Sequence, residues 1–311
     1  MSLPTPRTPS PSRARVYGGL VLGVVAVSWA APLIRFAEAP SLAISAWRLT
    51  FASVPLLLLA LLRGRAELAA LNARTWGWLV LSGLALALHF ATWIASLQYT
   101  TVASSVALVT TTPVWVMLFA WMSLSERVGP RGLGAIGLCL AGSVLIGARD
   151  FALGGQSLWG DMLAVLGAIL AAAYFVIGRR VREAMSLGTY VGVVYSVAAV
   201  ALMVTHAFVD SPLTGFTPRT WWVLVGLAVV PQLIGHSMLN ASVRHLSAPF
   251  VSVAALGEPV LATLWAVLLL SETPDQVQLL GGGMALVGVV LMAREEALQK
   301  PPPPDMVPAA D

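Results

Sequence analysis

The chain has 311 residues, of which 58% are hydrophobic and only 10% are charged, against roughly a quarter charged in an ordinary soluble domain. With a mean hydropathy of +0.84, a soluble particle could not hide its apolar surface, so a water-soluble enzyme, a disordered chain and a nucleic-acid-binding domain are excluded. The net charge of +4 must then find its meaning in where the charges sit.

Crossing about 30 Å of hydrocarbon takes roughly 20 helical residues. Ten apolar stretches meet this need: Val16–Ile34, Ser41–Leu62, Trp76–Leu97, Val102–Ser123, Gly132–Gly147, Leu158–Gly178, Gly188–Val209, Thr220–Asn240, Pro249–Ser271 and Val277–Ala293. The fifth and tenth are short and rich in glycine. The first reads as a span, because it is long for the apolar core of a secretory leader. The connections leave no room for a soluble domain. The tails, 1–15 and 294–311, are expected on the cytoplasmic side, with 1–15 and 299–311 disordered by composition. The fold class expected is therefore an all-α integral membrane protein of ten transmembrane helices.

Arginine placement orients these spans. With the N-terminus inside, 14 of the 18 Lys and Arg residues fall in cytoplasmic segments and three, Arg35, Arg149 and Arg219, fall outside. Arg48 lies within a span. Both termini are expected in the cytoplasm, in a bacterial inner membrane.

An internal repeat runs at an offset of 146 residues. Pro113 falls on Pro259, Leu124-Ser125-Glu126 on Leu270-Ser271-Glu272, Trp76 on Trp222, Gly137 on Gly283 and Gly142 on Gly288. The register is gapless from the third span to the fifth, and in the first two spans it is a match of hydropathy. The halves, 16–147 and 157–293, each hold five spans. An odd number makes them inverted repeats, an architecture of transporters with the substrate site near the midplane between the halves.

The run Gln98-Tyr99-Thr100-Thr101-Val102-Ala103, then Thr112-Pro113-Val114, Leu124-Ser125-Glu126-Arg127 and the glycine-rich stretch Gly134 to Gly147 resembles an EamA domain. So does its second copy, Val243 to Ala248, Glu258-Pro259-Val260, Leu270-Ser271-Glu272 and Gly281 to Gly288. EamA domains are the repeats of the drug/metabolite transporter superfamily. Within it the chain is similar to the amino-acid exporters of the YddG type. The resemblance implies a ten-helix carrier working by alternating access and exporting amino acids or related metabolites. It does not fix the substrate, since the family also includes importers and sugar-derivative carriers.

Arg48 is the costliest residue, about 10 Å below the outer face at 1.5 Å rise per residue. An intramembrane arginine faces a cavity or a partner. It reads either as a site for a substrate carboxylate, held bidentately, or as a structural cap that snorkels outward. Glu258, near the middle of the ninth span, can pair with Arg48, or bind a substrate amine or a proton. Pro113 and Pro259 remove a backbone donor each and free the carbonyls of Val109 and Ala255. They are candidate hinges, or else static kinks.

Two polar stripes share helix faces: His89, Trp93, Ser96 and Thr100 in the third span, and Gln232, His236 and Asn240 in the eighth. They read as cavity wall or as interhelical hydrogen bonding. Trp76, Trp78, Trp159, Trp221 and Trp222 sit at span ends, as in an interfacial belt. Trp29, Trp93, Trp115 and Trp265 lie deeper, serving either packing or an aromatic pocket. The candidate substrate-binding set is Arg48, Glu258, Trp29, His89, Trp93, Tyr99, Trp115, Gln232 and His236. The glycines of the fifth and tenth spans are expected to pack the internal core, with dimer contact as the alternative.

There is no GxxxxGK[ST] motif, and the only lysine is Lys300 in the tail, so neither a P-loop nor a retinal Schiff base is possible. No GxSxG with a plausible triad and no metal-ligating cluster occurs. No cofactor or metal is expected, and no nucleic acid. The partners expected are a small-molecule substrate and the lipid bilayer, with the chain a monomer or a dimer. A secondary carrier leads; a membrane enzyme using His89, His236 and Glu258, or a channel or sensor, is the alternative.

Overall fold

A computed structural model of the chain describes residues 12–100, 102–123, 129–147, 156–182, 185–271 and 276–299. The tail ends, the Leu124-Ser125-Glu126 triplet and Glu272 lie outside the described residues. All regular structure among the described residues is helical.

The helices follow the apolar stretches closely. In order they are α1 (Arg13–Val27), α2 (Ala30–Phe36), α3 (Ser41–Arg63), the short α4 (Arg65–Ala69), α5 (Ala73–Tyr99), α6 (Val102–Val109), α7 (Thr112–Ser123), α8 (Pro130–Gly147), α9 (Gln156–Arg182), α10 (Leu187–His206), α11 (Pro218–Leu227), a π-helical segment (Ala228–His236), α12 (Ser237–Ser242), α13 (Ala248–Ala254), α14 (Gly257–Leu270) and α15 (Gln276–Gln299). Six spans are long and apolar enough by themselves to cross a membrane: Arg13–Phe36, Ser41–Arg63, Ala73–Tyr99, Leu158–Val181, Leu187–His206 and Pro218–Ser242. The α6–α7 and α13–α14 pairs, α8 and α15 complete ten. Polar caps start several helices. Asn72 Oδ1 accepts from the Thr75 amide at 2.8 Å, and Ser186, Thr217 and Ser247 do the same for α10, α11 and α13. Each supplies an acceptor to an amide that has no partner within its helix.

Three of the expected continuous spans are broken. The first divides at Ser28-Trp29, the fourth at Thr110-Thr111 and the ninth at Ala255-Leu256. A proline stands in the first turn of the segment after each break: Pro32 in α2, Pro113 in α7, Pro259 in α14. There its missing N–H is one that the helix start would leave unpaired anyway. The eighth span is interrupted differently. Pro231 sits inside the π segment, where wider turns accommodate the lost ladder bond. Neither Pro32 nor Pro231 was expected to matter from sequence.

The halves interlock with approximate two-fold symmetry. The third span packs on the sixth (α5 on α9), and their counterparts, the eighth and the first, pack on each other (the π segment and α12 on α1). The second span packs on the seventh (α3 on α10), and the fifth on the tenth (α8 on α15). Glycines permit the close approaches. A Cβ on Gly235 would lie 3.0 Å from the Val27 amide nitrogen, and one on Gly192 2.7 Å from the Leu56 carbonyl. At Gly288 it would lie 2.8 Å from the Ala135 carbonyl and against Cys139. Glycine of the tenth span therefore packs within the chain, whereas Gly137 and Gly283 meet nothing within 4 Å. The outward faces are apolar: Leu22, Leu62, Leu88, Val200 and Leu268 are all exposed, a surface suited to lipid and ruinous in water.

Gly288→Ala is expected to cost about 1–3 kcal/mol by overpacking, seen as a lower melting temperature in detergent, whereas Gly283→Ala stays within about 0.5 kcal/mol of the parent. Equal behaviour of the two would contradict this packing of α8 on α15.

Candidate functional site

The breaks, the π segment and the polar stripes meet at one cavity. Both halves contribute its walls. Val27, Ala30, Arg48, His89, Trp93, Val109, Thr110, Thr112 and Pro113 come from the first. Ala171, Tyr174, Phe175, His236, Leu239, Ala255, Leu256 and Glu258 come from the second. Four pairs of these obey the 146-residue offset: Trp93 with Leu239, Val109 with Ala255, Thr110 with Leu256, and Thr112 with Glu258. The internal two-fold thus runs through the cavity.

Arg48 lies wholly out of solvent, at 0% exposure. Its Nε donates to Gln232 Oε1 at 2.9 Å, and its guanidinium carbon lies 4.2 Å from the centre of the Phe90 ring, a cation–π distance. Nη1 and Nη2 have no protein partner. Glu258 stands on another wall of the same cavity, and no hydrogen bond joins it to the two Nη atoms. The ion pair allowed by sequence is therefore not closed by a hydrogen bond, and both its members line the cavity.

His89 Nδ1 is hydrogen-bonded to the Gly167 carbonyl at 3.0 Å, and its ring lies parallel to that of Trp93 at 6.0 Å. Trp93 Nε1 and His236 Nδ1 are buried without partners. His236 meets Phe90 edge-on at 5.3 Å. In the cavity wall, Tyr174 Oη accepts from Asn240 Nδ2, and Asn240 also donates to the His236 carbonyl at 2.7 Å. Each polar stripe thus does two things. His89, Trp93 and His236 line the cavity. Ser96, Thr100 and Asn240 bond across helices, as Ser96 does to Ser105 at 2.6 Å and Thr100 to Asp161 at 3.0 Å.

Five of the nine residues expected to bind substrate line the cavity: Arg48, Glu258, His89, Trp93 and His236. Gln232 does not; it is fully buried behind Arg48. Trp29 stacks on Trp265 at 4.5 Å, and Trp265 Nε1 donates to Ser28 Oγ at 2.8 Å, so this deep pair packs the first break against α14. Trp115 is half-buried in the apolar core. Tyr99 is 41% exposed at the end of α5. Trp221 belongs to a cluster with Trp47 (5.1 Å) and Phe216 (5.6 Å) rather than standing free in a belt. Of the candidate hinges, Pro113 lines the cavity and Pro259 is its neighbour in sequence to Glu258. Thr110, Thr112, Tyr174 and Phe90 escaped the sequence reading, although three consecutive threonines before Pro113 are a visible polar signal.

The carbonyls freed by the two prolines are both satisfied. Thr112 Oγ1 donates to the Val109 carbonyl at 2.6 Å, and the Glu258 amide donates to the Ala255 carbonyl at 2.9 Å. In the first half the residue before proline uses its side chain for this task. In the second its backbone does so, which leaves the Glu258 carboxyl to the cavity.

A largely apolar cavity with two ionisable groups in its wall, at the interface of inverted repeats and flanked by broken helices, defines a carrier architecture. Family comparison agrees. The model of the EamA-like transporter family matches residues 16–148 and 158–294, and the chain belongs to that family and so to the drug/metabolite transporter superfamily. Among its relatives is the pseudopaline exporter CntI of Pseudomonas aeruginosa, 25% identical over 278 residues, which are 89% of this chain and 96% of that one. Another is an uncharacterized transporter of Archaeoglobus fulgidus, 27% identical over 228 residues, 70% of this chain and 77% of the relative. A solved crystal structure superposes with a TM-score of 0.75 at 18% identity, covering 92% of this chain and 99% of that one, and supports the fold alone.

Thr112→Val leaves the Val109 carbonyl without its partner and is expected to destabilise by about 1–3 kcal/mol, measured as melting in detergent. Thr112→Ser, which keeps the hydroxyl, should lie within about 0.5 kcal/mol of the parent; a melt for Thr112→Val as high as the parent's would remove this role from the hydroxyl.

Proposed function

We propose that the chain exports small zwitterionic metabolites, amino acids with apolar or aromatic side chains foremost, by alternating access through this cavity. The observation that carries the reading is that Arg48 and Glu258 line one cavity without a bond between them. A zwitterion supplies both missing partners: its carboxylate to the Arg48 Nη groups and its ammonium to Glu258. Trp93, His89, His236 and Phe175 give the remaining wall an aromatic character suited to an apolar side chain. A channel would not need a deep site with two opposite charges, and a relative named for export of a small molecule favours a carrier over an enzyme.

In this reading the helix breaks before Pro113 and Pro259 are the hinges. Half-helices that start at the cavity can tilt without breaking a continuous ladder of hydrogen bonds. The arginine distribution supports a bacterial inner membrane with both termini cytoplasmic.

The test is counterflow of radiolabelled amino acids in proteoliposomes, with and without a pH gradient. Saturable exchange is expected. Arg48→Ala and Glu258→Gln should each lower its initial rate more than tenfold, since each loses a charge-assisted bond of about 1.5–3 kcal/mol. Unchanged exchange in both variants would sink the zwitterion reading.

A further inference from the structure

Arg48 is held on two sides and free on the third. Gln232 Oε1 takes its Nε hydrogen from behind at 2.9 Å. The Phe90 ring lies against the guanidinium plane at 4.2 Å. The remaining edge, Nη1 and Nη2, is buried, unpartnered and part of the cavity wall. A guanidinium fixed in this way presents two parallel N–H donors, the fork that matches a planar carboxylate. A free side chain would have to give up rotamer entropy to adopt this pose.

The Gln232 position is itself built. It lies in the π segment around Pro231, is 0% exposed and does not reach the cavity. The 146-residue offset places Pro231 on Ala85, inside the regular α5, where Leu86 stands for Gln232. The two halves therefore differ at this point, and only the second supplies an acceptor to Arg48.

We infer that Gln232 and Phe90 are positioning residues that hold Arg48 as a preformed bidentate oxyanion receptor, so that an anionic group with two hydrogen-bonding oxygens, a carboxylate in an amino acid, is the obligatory element of the ligand. This rests on the cavity being the transport site, but it goes further. The anion is read through two parallel hydrogen bonds as well as charge, and an amine without such a group is not a ligand. Arg48 and lysine are not interchangeable here, because an ammonium cannot form the fork.

The test uses the full-length purified protein in detergent and three probes of one ring size, titrated by calorimetry: benzoate, benzamide and benzylamine. Benzoate should bind at least tenfold tighter than each of the others. Arg48→Lys, which keeps the charge but loses the fork, should lower benzoate affinity at least tenfold. Gln232→Met keeps the volume but removes the acceptor. It should bring the benzoate-to-benzamide ratio at least fivefold closer to one, a change that general loosening of the fold would not produce.

The inference is overturned if benzoate binds no tighter than benzamide or benzylamine, or fails to bind. It is also overturned if Gln232→Met leaves the benzoate-to-benzamide ratio unchanged or weakens both probes equally. Its fate separates from that of the transport proposal. Selective benzoate binding without amino-acid counterflow would leave the receptor standing and remove the transport reading. Counterflow that benzoate does not inhibit would do the reverse.

Discussion

The central constraint on this molecule is the cost of holding a guanidinium away from water. A charge in hydrocarbon costs several kcal/mol unless polar groups replace its hydration. Arg48 has no carboxylate bonded to it to offset that cost; it has one side-chain amide, one aromatic face and an open cavity. The neighbouring features follow from this. The π segment brings Gln232 to the Nε hydrogen, α5 brings Phe90 to the plane, and Nη1 and Nη2 are left buried without a protein partner in a residue that lines the cavity. Two buried donors without partners are costly, and an anion taken up at the cavity is what would satisfy them.

The second constraint is that backbone polar groups must be satisfied inside a bilayer. The chain breaks helices only where it can meet that demand. Each break is followed by a proline in the first helical turn, where no amide bond is lost, and the carbonyls left open at Val109 and Ala255 find donors nearby. The repeats solve this identical problem in two ways. Thr112 uses its hydroxyl, while Glu258 uses its amide. A side chain committed to the backbone is not available to a ligand, so this small difference in bonding makes the two halves of the cavity wall chemically unlike.

Much of the architecture is legible in the sequence because hydrocarbon thickness leaves so few options. Ten apolar stretches become ten helical crossings with ends shifted by a few residues, and the 146-residue offset reappears as paired positions in the cavity wall. Five of nine candidate residues line that cavity because rarity is informative: a charge or imidazole deep in a span has few places to go. The failures have a common origin. Trp29, Trp115 and Tyr99 are large apolar or amphipathic side chains, whose depth along a helix says nothing about which neighbour they meet. Gln232 was placed on the correct face, but periodicity alone does not separate a cavity wall from the layer behind it. Pro32 and Pro231 went unremarked because a proline in the first turn of a segment and one inside a π turn look alike until the backbone is seen.

The site and the breaks coincide, and this has a mechanical consequence. Glu258 lies in the first turn of α14, directly after the break at Ala255-Leu256. Trp265 lies seven residues further along that helix, about 10 Å at helical rise, and stacks on Trp29 at the break of the first span. The Trp265 indole N–H is tied to Ser28 in that same break. A rigid tilt of α14 that alters the position of Glu258 therefore also alters the aromatic stack holding one end of the cavity together. The alternating access we propose needs such a linkage between occupancy of the site and closure of an end. It would require no long-range relay, because one half-helix carries both a carboxyl of the cavity wall and the indole bonded into the neighbouring break.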